Sequence, residues 1–175
     1  MNRNRAFGIG CLVSLSLIVG SVGCSVDLTD LESPASSFTK ASIVDQIPTG
    51  IHDGQSWTML KAEVKSDYFD EDRLTIRLFT EEIETCGFSS SSEKPYLLFS
   101  VKKAVGEYPL KMSFGEDGQT VTFVTPPATN TIATQGIVVI EELTAEKLTM
   151  GIVAQAGDGD VVNGRFTVDL CDSSI

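Results

Sequence analysis

Alternation of apolar and polar residues is the feature that most constrains this chain, and it occurs in two long stretches. Residues 73–78 read Arg-Leu-Thr-Ile-Arg-Leu, and residues 162–170 alternate in the same way. A period of two places successive side chains on opposite faces of a β-strand, so that one face is buried and the other is wet. The pattern therefore predicts antiparallel strands that cover an apolar core on one side.

Further apolar runs, separated by turn residues, predict more strands of this kind. The clearest turn signals are Glu116-Asp117-Gly118 and residues 157–160, and the short spacings favour hairpins over crossover helices. We expect an all-β fold, a single antiparallel β-sandwich or flattened barrel of about nine strands. The predicted strands are 38–44, the weakest, then 57–64, 73–78, 96–101, 108–114, 120–124, 132–140, 147–154 and 162–170.

Three of these segments share a glycine followed by mostly apolar residues, at Gly136, Gly151 and Gly164. One interpretation is an internal repeat. The unequal spacing of the three glycines favours the other, in which each glycine permits close packing or a bulge in an ordinary strand.

The N-terminus has the pattern of an export signal. Residues 1–5 contain two arginines and no acid, and residues 6–23 are an uncharged run, AFGIGCLVSLSLIVGSVG. A basic segment before a short apolar segment is typical of a signal peptide. A membrane-spanning helix requires about 20 strongly apolar residues, and this run is shorter and rich in Gly and Ser. We predict a cleaved signal peptide at 1–23.

The end of this segment, Ile18-Val19-Gly20-Ser21-Val22-Gly23-Cys24, resembles the lipobox of bacterial lipoprotein precursors. The resemblance implies that Cys24 is acylated, with palmitate among its chains, and becomes the mature N-terminus. Ser21 departs from the pattern, because the family usually has an aliphatic residue there, and ordinary signal cleavage before Cys24 is the alternative. An unlipidated product would begin with a lone thiol, which favours lipidation.

An acylated Cys24 makes the membrane the first predicted partner, since each buried CH2 contributes about 0.8 kcal/mol to attachment. The expected location is the cell envelope. By analogy with the lipoproteins, Ser25 rather than Asp after the cysteine favours the outer membrane. Whether the protein faces the periplasm or the cell surface stays open.

The remaining cysteines predict a disulfide. Cys11 falls in the signal peptide and Cys24 is assigned to lipid, so Cys86 and Cys171 are left in an oxidising compartment. A bridge between them would stabilise the fold by about 4 to 5 kcal/mol in the chain-entropy treatment. A redox role is disfavoured because the sequence contains no Cys-x-x-Cys motif.

After cleavage, residues 24–37 are rich in Ser, Asp and Pro and predict a flexible tether. Residues 38–175 predict one β domain, which is long enough to bury a core of its own. This domain resembles uncharacterised exported bacterial lipoproteins of all-β type, a resemblance that implies no activity. It is carried by Trp57, Cys86-Gly87, residues 106–110, residues 121–124 and residues 163–171.

Charge and histidine content exclude several classes of function. The chain has 13 Lys and Arg against 24 Asp and Glu, a net charge of −11, so it lacks the basic surface that nucleic acids require. Its single histidine, His52, lies in a turn-like His-Asp-Gly sequence, and no Gly-x-Ser-x-Gly accompanies it. We therefore predict that the protein is not an enzyme and uses no cofactor.

Two acidic segments offer oxygen ligands that a calcium ion would accept. In a simple up-and-down meander they open at the same end of the domain and could face one another. Asp and Gly are also ordinary turn residues, which favours solvated turns over a calcium site. The candidate ligands are Asp67, Asp70, Asp72, Asp158 and Asp160.

The favoured function is a non-enzymatic binding or structural module, whose partner is an envelope protein or a small molecule that the sequence does not identify. One alternative is a lipocalin-like carrier of a small apolar ligand. The other is a carboxylate-dependent hydrolase using acids at 81–84 or 141–142, although adjacent acids on a strand point to opposite faces. Five aromatic side chains could line a sugar or lipid pocket, but aromatic residues in strands are more often core. The five candidates are Trp57, Tyr68, Phe69, Tyr96 and Tyr108.

Overall fold

Eleven antiparallel strands make up the computed structural model, which describes residues 37–86, 92–113, 118–127, 129–157 and 159–171. The predicted signal peptide, Cys24 and all but the last residue of the predicted tether lie outside these ranges. A short 3-10 turn, Lys40–Ser42, precedes the first strand. The strands are β1 (Thr49–His52), β2 (Gln55–Thr58), β3 (Lys61–Ser66), β4 (Arg73–Phe79), β5 (Tyr96–Lys102), β6 (Gly106–Pro109), β7 (Val121–Thr125), β8 (Thr129–Ala133), β9 (Gln135–Leu143), β10 (Lys147–Gln155) and β11 (Val161–Asp169).

The strands form two sheets. Sheet A has the order β2-β1-β11-β10-β9-β6 and sheet B has the order β3-β4-β5-β7-β8. Neither sheet closes on itself, so the all-β prediction and the sandwich are confirmed, and the flattened barrel is wrong. The connections are also not those of a simple meander, because β1 and β2 lie beside the last strand, β11.

The core lies between the two sheets and is filled by their inward side chains. From sheet B, Leu74, Ile76 and Leu78 of β4 are almost completely buried, and they join Met150 and Ile152 of β10 in one cluster. The alternation of residues 73–78 therefore correctly predicts which face of β4 is buried. Side chains fill this space, so the described strands enclose no lumen of the kind a lipocalin-like carrier would use.

Two of the predicted strands are each divided into two, and each pair crosses between the sheets. The segment 57–64 forms β2 in sheet A and β3 in sheet B. Between them the amide of Met59 donates to the Pro48 carbonyl at 2.9 Å, and that of Leu60 donates to the Phe79 carbonyl at 2.8 Å. Likewise 132–140 falls in β8 and β9, separated by Thr134 alone. An apolar run continues through such a crossing because both strands bury residues in the same core.

The N-terminal segment forms no strand, so the prediction for 38–44 is wrong. It crosses the outer face of sheet A instead, where Ile43 packs with Ile137, Val139 and Val153. The Asn163 side chain holds it on β11, accepting from the Val44 amide at 3.0 Å and donating to the Ser42 carbonyl at 2.9 Å. Residues 49–52, which the sequence did not predict as a strand, follow as β1.

Glycines make room for this segment. A Cβ atom on Gly151 would stand 2.8 Å from the Ile43 side chain, and one on Gly164 would stand 2.5 Å from the Pro48 backbone. Both distances are shorter than a Cβ atom tolerates. The close-packing interpretation of these two glycines is therefore confirmed.

The disulfide between Cys86 and Cys171 is present, and both of its residues are fastened to β3, an edge strand of sheet B. The Cys171 amide donates to the Val64 carbonyl at 2.9 Å. The Cys86 amide donates to the Glu63 carboxylate, also at 2.9 Å. Cys171 and the segment that follows β4 are thus held on the same strand.

Glu63 is 2% exposed, and cations compensate its charge. The Lys65 ammonium lies 2.8 Å from one carboxylate oxygen, and the Arg77 guanidinium on the neighbouring strand lies 3.7 Å from the other. A buried carboxylate is stable only with such partners, since an uncompensated buried charge carries a large desolvation penalty. Glu63 therefore has a structural role, which the sequence did not reveal.

Replacing both Cys86 and Cys171 with Ser is expected to lower the free energy of unfolding by about 2 to 5 kcal/mol, because the open loop regains conformational entropy. Urea denaturation followed by circular dichroism measures the difference. Wild-type protein kept in a thiol reductant is the matched control and is expected to unfold at the same urea concentration as the double variant. A loss below about 1 kcal/mol would contradict a structural role for the bridge.

Candidate functional site

The loop between β3 and β4, residues 67–72, is here called the acidic loop. It contains four acids and two adjacent aromatic residues, Tyr68 and Phe69, which we call the aromatic tip. Tyr68 is 91% exposed and Phe69 is 92% exposed, with the two rings edge to face at 5.1 Å. Adjacent exposed aromatic side chains form an apolar surface that a partner can cover. The prediction that aromatic residues here are core is wrong for this pair.

Hydrogen bonds within the acidic loop fix its backbone. The Asp67 carboxylate accepts from the Phe69 amide at 3.0 Å, and the Asp70 carboxylate accepts from the Asp72 amide at 3.0 Å. The amide of Asp67 donates to the Arg73 carbonyl, and that of Arg73 donates to the Asp70 carbonyl, each at 3.0 Å. Such Asx turns favour one loop conformation, so the aromatic tip is presented on an ordered support.

Asp67 also ties the loop to sheet B. Its second carboxylate oxygen accepts from the Thr75 hydroxyl at 2.8 Å and from the Ser100 hydroxyl at 3.1 Å. Partial burial acts to raise the pKa of Asp67, but hydrogen bonds from the Phe69 amide, Thr75 and Ser100 outweigh it and lower the pKa below its usual value. Asp67 is therefore a charged anchor at neutral pH.

The turn between β5 and β6 lies beside the acidic loop and adds apolar surface. The Lys103 amide donates to the Asp72 carbonyl at 2.7 Å, which joins the two connections. In this turn Val105 is exposed, and the Tyr108 hydroxyl donates to the Ala104 carbonyl at 2.6 Å. Burial raises the pKa of Tyr108, and the nearby charge of Arg73 only partly opposes this. Tyr108 thus stays protonated and braces the turn from inside.

The calcium candidates are not brought together. Asp160 lies beyond β10 next to the β1–β2 turn, where its buried carboxylate accepts from the Asp53 amide at 2.7 Å. The acidic loop lies at the other end of β10. Ser66, which directly precedes this loop, and Thr144, in the turn before β10, line the same cavity. Nine residues of strand, about 30 Å, separate these ends. The expectation that the two acidic segments face each other is therefore wrong.

Asp70 and Asp72 remain near Asp67 in the acidic loop, but the carboxylates of Asp67 and Asp70 accept from amides of the loop itself. Asp158 lies outside the described residues. Among the residues that are described, no three His, Cys, Asp or Glu side chains are grouped closely enough to hold a metal ion.

His52 ends strand β1, and the turn begins one residue later at Asp53-Gly54, both with positive φ. The imidazole is 2% exposed, lies 3.0 Å from the Thr125 hydroxyl and meets the Phe123 ring edge-on at 5.2 Å. A cavity of about 410 Å³ adjoins it, lined in part by Trp57 and Pro95. Because these contacts join β1 to β7 across the core, we assign His52 a role in packing.

Two of the acids considered for hydrolysis, Glu141 and Glu81, are engaged in ion pairs. Glu141 on β9 lies 3.0 Å from the Arg165 guanidinium and 3.4 Å from the Lys40 ammonium. Glu81, which follows β4 of the opposite sheet, lies 3.8 Å from the Lys94 ammonium and accepts a hydrogen bond from Ser92. Glu141 is therefore on a strand of sheet A, Glu81 follows a strand of sheet B, and each is paired with cations of its own.

A cavity of about 470 Å³ opens where β3, the β9–β10 turn and residues 170–171 meet. Its wall combines apolar residues, among them Leu74 and Leu170, with two lysines, Lys65 and Lys103. The Lys65 ammonium is paired with Glu63, and the Lys103 ammonium lies 3.4 Å from the Ser66 hydroxyl. This cavity is a mixed surface cleft rather than an enclosed apolar chamber.

Comparison of the chain with protein-family models, curated proteins and solved structures finds no match. Within the described part of the chain, no helix has the length and apolar character needed to cross a bilayer. The aromatic tip is therefore interpreted from its own geometry.

Replacing Asp67 with Ala is expected to lower the free energy of unfolding at pH 7 by about 1 to 3 kcal/mol, since one amide and two hydroxyls lose their acceptor. The folded-state pKa of Asp67 lies below its unfolded value, so this contribution is full above the unfolded pKa. It is lost as the pH falls through the folded pKa. The difference between wild type and variant is expected to shrink below about pH 4.

Urea titrations at several pH values measure this difference. Asp169→Ala is the matched control, because that side chain is 84% exposed. It is expected to change stability by less than about 0.5 kcal/mol. A gap between wild type and Asp67→Ala that stays constant down to pH 2 would contradict the anchoring role of the charge.

Proposed function

We propose that the protein is a lipid-anchored binding module of the bacterial cell envelope, without catalytic activity, and that the aromatic tip is its contact surface. The observation that carries the proposal is the near-complete exposure of Tyr68 and Phe69 on a loop held by its own hydrogen bonds. Exposing two large aromatic groups in water is unfavourable, and a partner that covers them recovers this free energy. The ordered loop lowers the entropy lost on binding.

Charge selects the kind of partner. Asp67, Asp70, Glu71 and Asp72 flank the aromatic tip on a chain that is already strongly acidic. A bilayer surface of anionic phosphate groups would be repelled by these carboxylates. A protein surface in which Lys or Arg surrounds an apolar pocket would be attracted, and Arg can also stack on the rings. We infer a cationic envelope protein as the partner.

The anchor is supported by the lipobox-like sequence that ends at Cys24 and by the uncharged run before it. We take residues 24–37 as the tether, because their Ser, Asp and Pro content predicts one, and a flexible chain of 14 residues would span about 20 Å on average. Such a tether holds the domain near the bilayer while allowing it to turn toward a partner. Ser25 favours the outer membrane.

Intact-mass spectrometry of the protein extracted from membranes tests the anchor. The expected mass is that of residues 24–175 with acyl groups on Cys24 and two hydrogens fewer for the Cys86–Cys171 bridge. Cys24→Ala is expected to abolish acylation and to leave the signal peptide uncleaved. A mature chain that begins with an unmodified Cys24 would contradict lipidation and support ordinary signal cleavage.

Photocrosslinking in cells that express the protein tests the contact surface. A photoreactive residue at position 69 is expected to give a discrete adduct with a basic protein, whereas the same residue at Ile51, exposed on β1, is expected to give none. Adding Tyr68→Ala to the chain that carries the photoreactive residue at position 69 is expected to weaken the adduct. Stability is expected to change by less than about 0.5 kcal/mol, since the ring is exposed.

An adduct with lipid alone, equal adducts at both positions, or no adduct at either would each contradict the proposed contact surface. Lipidation is measured separately, so the anchor and the contact surface can fail independently.

A further inference from the structure

A small cavity of about 230 Å³ lies where the start of β4, the end of β5 and strand β6 meet. Its described lining includes three cations, Arg73, Lys102 and Lys111, but one acid, Glu107. This balance is the reverse of that of the whole chain, which has 24 acidic and 13 basic residues. Cations that converge on a concave surface attract anions, because the protein wall strengthens their field. The cavity is therefore a local region of positive charge on an acidic protein.

Two of these cations, Arg73 and Lys102, lie directly opposite each other on β4 and β5. Side chains in this position share one face of the sheet, and like charges there repel each other. Neither Arg73 nor Lys102 has a carboxylate partner in the described ranges, and an anion between them would relieve the repulsion. Six other cations do have such a partner: Lys40, Lys65, Arg77, Lys94, Lys147 and Arg165.

Arg73 is held in a fixed position at the cavity wall. Its Nε donates to the Ser100 hydroxyl at 3.0 Å, and its Nη2 donates to the Ser100 carbonyl at 2.9 Å. The side-chain amide of Gln119, also in the wall, donates to the same carbonyl at 2.8 Å. These neutral oxygens orient the guanidinium without neutralising it, and the Asp67 carboxylate lies beyond the Ser100 hydroxyl that it accepts from. A guanidinium has five N–H donors, so Arg73 keeps donors for a ligand.

We propose that this cavity binds the phosphate group of a small soluble molecule through Arg73 and Lys102. The planar fork of an arginine matches two phosphate oxygens, and a lysine adds a point charge, so a dianion compensates both side chains. The cavity volume limits the ligand to a small molecule. The acidic loop ends directly before Arg73, and its carboxylates disfavour the approach of an anionic bilayer. The site requires neither the lipid anchor nor the aromatic tip.

Titration of the purified protein with inorganic phosphate, followed by NMR at about pH 8, tests the site, because phosphate is then mainly a dianion. The backbone amide signals of residues 73 and 102 are expected to shift and to give a Kd of about 1 mM. Arg73→Gln is expected to weaken binding about tenfold, since the fork is lost. Lys102→Gln is expected to weaken it about threefold, because an exposed point charge is screened by solvent.

Two further variants separate a built site from general attraction of anions. Lys61→Gln is the matched control, because Lys61 also has no carboxylate partner among the described residues and lies opposite Phe79, at the far end of β4. It is expected to bind phosphate like wild type. Glu107→Gln removes a negative charge from the cavity wall and is expected to strengthen binding about twofold. Circular dichroism checks that each variant is folded.

No shift of these signals at about 20 mM phosphate would overturn the proposal, and so would an equal loss of affinity in Lys61→Gln and Arg73→Gln. Acetate at the same ionic strength is expected to bind at least about tenfold more weakly, and equal binding would exclude a phosphate site. Vesicles of phosphatidylglycerol are expected to leave the signals of residues 73 and 102 unchanged. A response to vesicles but not to inorganic phosphate would contradict a soluble ligand.

Discussion

Burial of one apolar face from each sheet is the interaction on which the remainder of this structure depends. Leu74 and Ile76 from sheet B meet Met150 and Ile152 from sheet A with almost no solvent exposure. Each such side chain contributes roughly 1.5 to 3 kcal/mol when it leaves water. Because this contact fixes the two sheets against each other, the connections at either end become ordered supports, and one of them carries the aromatic tip.

The fold could be predicted from the sequence wherever strand periodicity determines burial, as in β4 and β11. The same rule could not locate the crossing between the sheets at Met59 and Leu60. Strands of both sheets bury side chains in one core, so the apolar pattern continues across the point where the chain passes from one sheet to the other. It also fails at Ile43, whose segment has the pattern of a strand but packs on the outside of sheet A. The position of this segment depends on Gly151 and Gly164, which leave room for it. Both glycines are distant from the segment in sequence.

The candidate site was only partly predictable. The sequence identifies the acids of residues 67–72, whereas it groups Tyr68 and Phe69 with aromatics that usually lie in a core. One feature of the sequence argues against a core position for this pair. Asp67 and Asp70 flank the two aromatic residues, and aspartate is common in turns. The meander assumption misplaces Asp160, because the strands between the two acidic segments alternate between the two sheets, and the segments then lie at opposite ends of β10. Connections between distant strands are set by tertiary packing, which periodicity does not report.

The route of the N-terminal segment has a mechanical consequence. Its polar contacts with Asn163 connect it to β11, which lies inside the six-stranded sheet rather than at its edge. A pulling force applied at residue 37 would therefore reach an interior strand, bonded to β1 on one side and β10 on the other. Interior strands resist such a load by shear of many hydrogen bonds at once, whereas an edge strand peels away one bond at a time. The domain would therefore resist a load at its N-terminal end better than one applied to an edge strand.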